Sequence, residues 1–298
     1  MGDYLLLLLA DLLLAVNFAF NKIYQRRAGT SFTAGFTFSA ICGAFTALIF
    51  WIYNGFAFAF SPFSFIMAIL QSLLCTAYLL IGFRIIKRQG VSIYTLFLMT
   101  GGMTVPYLFG IIFLNEAFSA MRFIGLAVII VGVFLSGIGK EKPDRVSILL
   151  CVAVFFLNGG VSVVSKLHSI NTELAVAPRE FVVLSGAVSC AVNTVLRFTF
   201  KCKTDGHSAV EKERSKNALL ATFLFIPMLS ALVSGFSSVL QLTGAQTIDA
   251  SLLYPFITGG SIVFTTLVGW LFFKEKLSGN VWIGIACSFI GTLFFLEL

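Results

Sequence analysis

The run Ile124-Gly125-Leu126-Ala127-Val128-Ile129-Ile130-Val131-Gly132-Val133-Phe134-Leu135 decides the fold class. It carries no charged or hydrogen-bonding side chain, so it is unsuited to a water-facing surface. In hydrocarbon every backbone N–H and C=O must be satisfied internally, which leaves an α-helix or a strand of a closed barrel. Barrel strands alternate apolar and polar residues, and this run does not. It reads as a membrane helix.

The same texture covers the chain. Hydrophobic residues fill 58% of 298 positions, charged residues only 11%, and mean hydropathy is +0.99. A soluble domain keeps roughly a quarter of its residues charged. Apolar runs between charge and turn clusters give ten expected spans: 4–24, 32–53, 62–83, 91–114, 120–138, 146–166, 177–200, 218–240, 248–273 and 279–297. Most approach the roughly 20 residues that cross a bilayer core as a helix. Ser61-Pro62 opens the third, Gly139 and Pro143 bracket a break, and Lys201 to Lys216 form a hydrophilic loop. The first run lacks the basic n-region and small-residue cleavage site of a signal peptide, and Asp11 interrupts it, so it reads as a spanning helix. Cys42, Cys75, Cys151, Cys190 and Cys287 lie in apolar runs and Cys202 in a loop; none has metal or redox spacing.

Two halves echo each other. Leu114-Asn115-Glu116-Ala117-Phe118-Ser119 is answered by Phe273-Lys274-Glu275-Lys276-Leu277-Ser278. In that register Ile124-Gly125 meets Ile283-Gly284, and Gly132 meets Gly291. Thr100-Gly101-Gly102 matches Thr258-Gly259-Gly260 after a shift of one residue, and Lys22 matches Lys166. Five helices duplicated make ten, with residues 1–140 and 141–298 as the halves. An odd number per half turns the second copy upside down. The charges are an independent test: the segments following helices 1, 3, 5, 7 and 9 hold 17 of the 20 Lys and Arg. Cytoplasmic loops are enriched in these residues, which predicts external termini. The bias also reverses between halves, as inversion requires. Inverted repeats are common in secondary transporters, with the solute held at the repeat interface near midplane.

The segment Ser234 to Phe295 resembles the second repeat of the EamA-like branch of the drug/metabolite transporter superfamily. The match runs through Gly269-Trp270, Glu275-Lys276-Leu277-Ser278, Ile283-Gly284 and Ile290-Gly291, and residues 91–138 carry a weaker copy. The resemblance implies a ten-helix, inverted-repeat carrier of a small polar or amphipathic metabolite, commonly an exporter. The family often has proline where Met103 and Ile262 stand; here Pro106 and Pro255 lie nearby, which displaces any helix break. Relatives are often described with cytoplasmic termini, against the charge count of this chain.

Polar side chains in hydrocarbon are costly unless they face a cavity or a partner. Helix 6 carries Asn158, Ser162, Ser165 and Ser169 at helical spacing, helix 8 carries Ser230, Ser234, Ser237 and Gln241, and helix 9 carries Tyr254, Thr258, Ser261 and Thr265. Asn17 and Asn21 lie one turn apart on helix 1; Gln71, Tyr78 and Tyr94 lie on helices 3 and 4. The simpler reading of the Ser and Thr residues is close helix packing. Amides need several partners, which favours Asn17, Asn158 and Gln241 as solute contacts. The expected solute site is Asn17, Asn21, Lys22, Gln71, Tyr78, Asn158, Ser162, Lys166, Ser234, Gln241, Tyr254 and Thr258. Lys22 and Lys166 could instead snorkel to the interface. Asp11 is the acid deepest in an expected helix and is the candidate for proton coupling. Glu116 and Glu275 are expected to orient turns before Ser119 and Ser278, which would cap helices 5 and 10.

Nothing reads as an enzyme. There is no Gly-rich Lys-Ser/Thr phosphate loop, and His168 and His207 lack spaced metal-ligand partners, so no cofactor or metal is expected. Asp205, Glu211 and Glu213 interrupt the basic loop, which argues against nucleic acid. The expected partners are a small solute and the bilayer, with a homodimer left open. The expected place is a plasma membrane of bacterial inner-membrane type. An importer, or a receptor or scaffold without turnover, is the alternative to an exporter.

Overall fold

A computed structural model describes residues 2–29, 31–89, 91–137, 145–199, 221–274 and 279–295. Among these residues the regular elements are helical: α1 (Gly2–Ala28), α2 (Phe32–Tyr53), α3 (Pro62–Gln89), α4 (Val91–Phe113), α5 (Ala120–Gly137), α6 (Arg145–Ile170), α7 (Pro178–Thr199), α8 (Ile226–Thr247), α9 (Ala250–Phe273) and α10 (Gly279–Leu293). A π-helical turn, Ala221–Phe225, leads into α8. Glu275, Ser278, Gly139, Pro143 and the loop 201–216 lie outside the described residues.

Each expected span coincides with a helix, and the ends differ for physical reasons. α1 and α3 run past their expected limits into Gln25-Arg26-Arg27 and to Gln89. Basic side chains there can extend their charges toward water while the backbone stays helical. Pro62 opens α3 and Pro227 sits in the first turn of α8, where a missing N–H costs nothing. α4 and α9 continue through Pro106 and Pro255 without a break in helix assignment. A proline at 106 leaves the carbonyl of Gly102 without its helical donor, and the Ser162 hydroxyl of α6 donates to it at 3.2 Å.

α9 is the centre of the bundle: each residue from Ala250 to Ile257 is buried. Leu7 of α1, Met103 and Tyr107 of α4, Ile129 of α5 and Phe295 beyond α10 close around Leu253 and Phe256. A second core joins Phe50 of α2, Ala68 of α3, Phe181 and Leu184 of α7, and Leu242 of α8. The most extensive helix pairings are α2 with α7, α5 with α10, α4 with α6, α1 with α8, and α3 with α6; α9 packs on α1 and α4. Glycines bring two of these pairs together. A Cβ on Gly43 would lie 2.7 Å from the Gly186 carbonyl, one on Gly132 2.7 Å from that of Gly284, and one on Gly291 2.7 Å from that of Gly125. Membrane helices associate through such small-residue contacts because lipid offers no hydrophobic drive between them.

The outer surface is apolar on all sides, with Leu5, Leu149, Phe198 and Phe272 each more than two-thirds exposed. Soluble monomers rarely carry such patches. Eight helices are long and apolar enough to cross a membrane; α5 and α10 are shorter apolar helices. The chain is a multi-pass helical membrane protein.

Candidate functional site

Parts of the α6 and α8 stripes bond to neighbouring helices, whereas on α9 Ser261 and Thr265 bond within their own helix. On α6, Asn158 donates to the Leu98 carbonyl of α4 at 2.7 Å and Ser162 to Gly102, while Ser165 accepts from Gln71 of α3 at 3.2 Å. On α8, Ser230 donates to Asn17 Oδ1 at 2.5 Å and Ser237 to the Ala10 carbonyl at 2.8 Å. Gln241 donates to Ser237 at 3.0 Å, and Ser234 bonds within its own helix to Ala231. Asn158 and Gln241 are both half-buried. Tyr254 is buried in the α9 core and Thr258 is half-buried one turn on. Tyr78 and Tyr94 border a small cluster with Ile85, Cys151 and Val154. Asn21 is half-buried on α1.

The two matched lysines have different surroundings. Lys166 is buried and its ammonium donates to the carbonyls of Ala245 and Ile248, at 3.0 and 2.6 Å, where α8 ends. A cation at a helix C-terminus satisfies orphan carbonyls and opposes the negative end of the helix dipole. Lys22 lies 4.8 Å from the ring centroid of Phe273, and Arg26 lies 4.9 Å from the same ring. Paired contacts between Ala10 and Ser237 and between Asn17 and Ser230 make α1 antiparallel to α8, so the C-terminal part of α1 points away from the end of α8. Lys22 and Lys166 therefore lie toward opposite ends of the bundle.

The end that holds Lys166 is tied by long-range polar contacts that local sequence did not announce. Glu116, just after α4, accepts from the backbone N–H groups of Ala250 and Ser251 at 2.6 and 2.8 Å. It thereby does the work of an N-cap for α9, satisfying donors the helix cannot bond itself. Asp249 occupies the N-cap position without a side-chain cap bond and pairs instead with Arg122 at 3.4 Å. Ser119 accepts from the Arg122 N–H at 3.4 Å, the cap expected for α5. Beside this, His168 Nε2 lies 3.0 Å from Ser64 Oγ, which itself accepts the Val176 N–H at 3.0 Å. The Ser64 hydroxyl has one proton and two lone pairs, so it can serve Val176 and His168 together, and the His168 ring stacks at 3.7 Å on Phe181. One signal was available: Arg122 is the single basic residue within expected helix 5, and such isolation inside an apolar region asks for a partner.

Asp11 stands apart. It is fully buried on α1, both carboxylate oxygens lack a hydrogen-bond partner among the described residues, and it abuts Gly260 of α9, where a Cβ would fall on the carboxylate. No group of three His, Cys, Asp or Glu side chains among the described residues is placed to hold a metal ion. An apolar groove of about 460 Å³, lined by Ala44, Ala47, Leu48, Trp51, Phe58 and Val183, lies on the α2–α7 side and shares no residue with the expected site.

Fold and interior together define a multi-pass helical membrane protein with polar contacts threaded between its helices. No family model matches the chain, and no curated protein matches it. Among solved structures, one known simply as "Crystal structure of protein" superposes with a TM-score of 0.71 at 16% identity, covering 100% of this chain and 99% of that one. At that identity the likeness concerns the fold alone.

Proposed function

We propose that the chain is a secondary carrier of the EamA-like kind, built from two inverted five-helix repeats that move a small polar or amphipathic metabolite by alternating access, in the direction of export. The observation that carries this reading is the exchange relation among helix contacts. Replacing each helix by the one five positions away turns α1 on α8 into α6 on α3, and α4 on α6 into α9 on α1, all of them extensive contacts. The pairs α2–α7 and α5–α10 map onto themselves, with Gly125 on Gly291 becoming Gly284 on Gly132. Asn115 and Lys274, matched in sequence, both take left-handed backbone at φ 54° and 50° just after α4 and α9.

Direction supports inversion as well. α8 is antiparallel to α1, and its C-terminal end meets the C-terminal end of α6 through Lys166. The first helices of the two halves thus run in opposite senses. Secondary carriers place their solute between such halves, and the bonds of Asn17 to α8, Gln71 to α6 and Asn158 to α4 support such a polar seam. A scaffold has no need of amides in four helices, each costly to bury unpaired.

The test is flux in vesicles reconstituted with the purified full-length chain, using radiolabelled amino acids, nucleosides and organic amines as probes. Saturable flux of one of them, lost on Asn158→Leu while the protein still folds, is expected. Probes that bind without flux would favour a receptor, and whole cells expressing the chain that accumulate the probe, where export would deplete it, would favour an importer.

A further inference from the structure

Asp11 has a counterpart in its packing, though not in the Lys22–Lys166 register, which sets Asn158 one turn further along its helix. Asn158 on α6 lies against Gly102 of α4 and donates to the carbonyl of Leu98, four residues earlier. Asp11 on α1 lies against Gly260 of α9, and Gly260 is the residue that matches Gly102 in sequence. α1 on α9 is the exchanged form of α6 on α4. The carbonyl matching that of Leu98 is therefore the carbonyl of Phe256. An asparagine can donate to it and so can a protonated carboxylic acid; a carboxylate cannot.

The surroundings favour the proton. α8, packed along α1, carries no titratable side chain among its residues, and on α9 the one titratable side chain is Tyr254, more than a turn from Gly260. The π-helical turn has none. On α1 itself the ionisable neighbours are Asp3 and Tyr4 toward one end, and Lys22, Tyr24, Arg26 and Arg27 toward the other. Lys22 is eleven residues away, roughly 16 Å along the helix, beyond reach of an ion pair. A buried carboxylate with neither cation nor donor is costly, whereas the neutral acid costs far less.

We propose that Asp11 is a proton-binding site at the α1–α9 contact: it holds a proton while these helices are together and releases it to water when they part. In a carrier this couples transport to a proton gradient, a consequence that rests on the function proposed above. The balance is simple: one O–H bond breaks, water accepts the proton, and the carboxylate left behind becomes hydrated in the opened gap.

The experiment needs no solute. Infrared difference spectra of the full-length protein in lipid nanodiscs, recorded over a pH series, should contain a protonated-carboxyl band that disappears as pH rises and is missing in Asp11→Asn. Spin labels on α1 and α9, at Gln25 and Phe272, should report a distance that lengthens over the same pH range in the wild type. In Asp11→Asn, whose amide imitates Asn158, the distance should stay short at every pH. Asn158→Asp should add a second band. Absence of an Asp11-dependent band at all pH values, or a distance indifferent to pH in the wild type, would overturn the proposal. If both signals appear while no probe solute is ever transported, the proton site stands and the carrier reading alone falls.

Discussion

At the scale of single residues, Glu116 and Lys166 divide one task between them. The turn Ile248-Asp249 joins two helices whose facing ends leave unsatisfied carbonyls on α8 and unsatisfied N–H groups on α9. Lys166 serves the first and Glu116 the second. Hydrogen bonds to charged groups are each worth about 1.5–3 kcal/mol. Glu116→Gln keeps an acceptor but loses its charge, so a loss of about 1–2 kcal/mol is expected, read as a fall in Tm of roughly 2–6 °C for a chain of this size. Lys166→Met removes the donor outright and should cost about 1–3 kcal/mol through carbonyls left bare. A thermal-unfolding series in detergent checks both, and an unchanged Tm in Lys166→Met would show that water replaces the ammonium. Little of this was legible beforehand. Glu116 was visible as a turn residue, but its partners lie more than 130 positions away, and no local pattern encodes that. Asp11 was legible, because a lone acid in an apolar run is a signal in itself.

At the scale of helices, the sequence was a good guide to existence and a poorer one to ends. Runs of apolar residues mark what lies in hydrocarbon, while helices continue for as long as their backbone bonds can form, which is why α1 and α3 outlast their apolar cores. The polar stripes on helices 6 and 8 were legible as stripes. Which neighbour each faces was not, since helical spacing fixes a face but not its partner. Glycines make the α4–α6 contact testable. A Cβ on Gly101 would fall on the Phe155 carbonyl, which is backbone and cannot swing aside. Gly101→Ala should push α4 from α6 and cost about 1–3 kcal/mol, the usual range for overpacking. Gly160→Ala meets a methyl group of Leu74 at 3.4 Å, ordinary contact distance. There the gain in helix propensity, about 0.5–1 kcal/mol, should leave Tm unchanged or raised. If both variants were equally tolerated, the close approach of α4 and α6 would not be the feature that fixes their spacing.

At the scale of the whole molecule, the question is which end faces the cytoplasm. Membrane insertion leaves Lys and Arg preferentially on the cytoplasmic side, and the structure gathers them accordingly. Lys22 and Arg26 of α1 meet Phe273 at the end of α9, with Lys274 next in the chain. Basic residues from both halves therefore share one end of the bundle, although they are some 250 positions apart in sequence. The opposite end holds Glu116 and Asp249 together with Lys166 and Arg122; Arg122 pairs with Asp249, and the Lys166 ammonium sits on backbone carbonyls. Counting acids and bases together would blur this contrast, but the orienting rule counts Lys and Arg and gives acids little weight. The basic end is thus expected in the cytoplasm and the tied end outside. α1 ends at the basic end and begins at the other, so the N-terminus is expected outside, and with an even number of crossings the C-terminus is expected there too. A fluorescent protein that matures only in the cytoplasm should stay dark when fused after Leu298 and shine when inserted at Asp205, between α7 and α8 in the sequence. Swapping Lys22, Arg26 and Arg27 for Gln should weaken that preference and produce a mixed population. A bright fusion at Leu298 with a dark one at Asp205 would place the tied end, with the contacts of Glu116 and Lys166, in the cytoplasm.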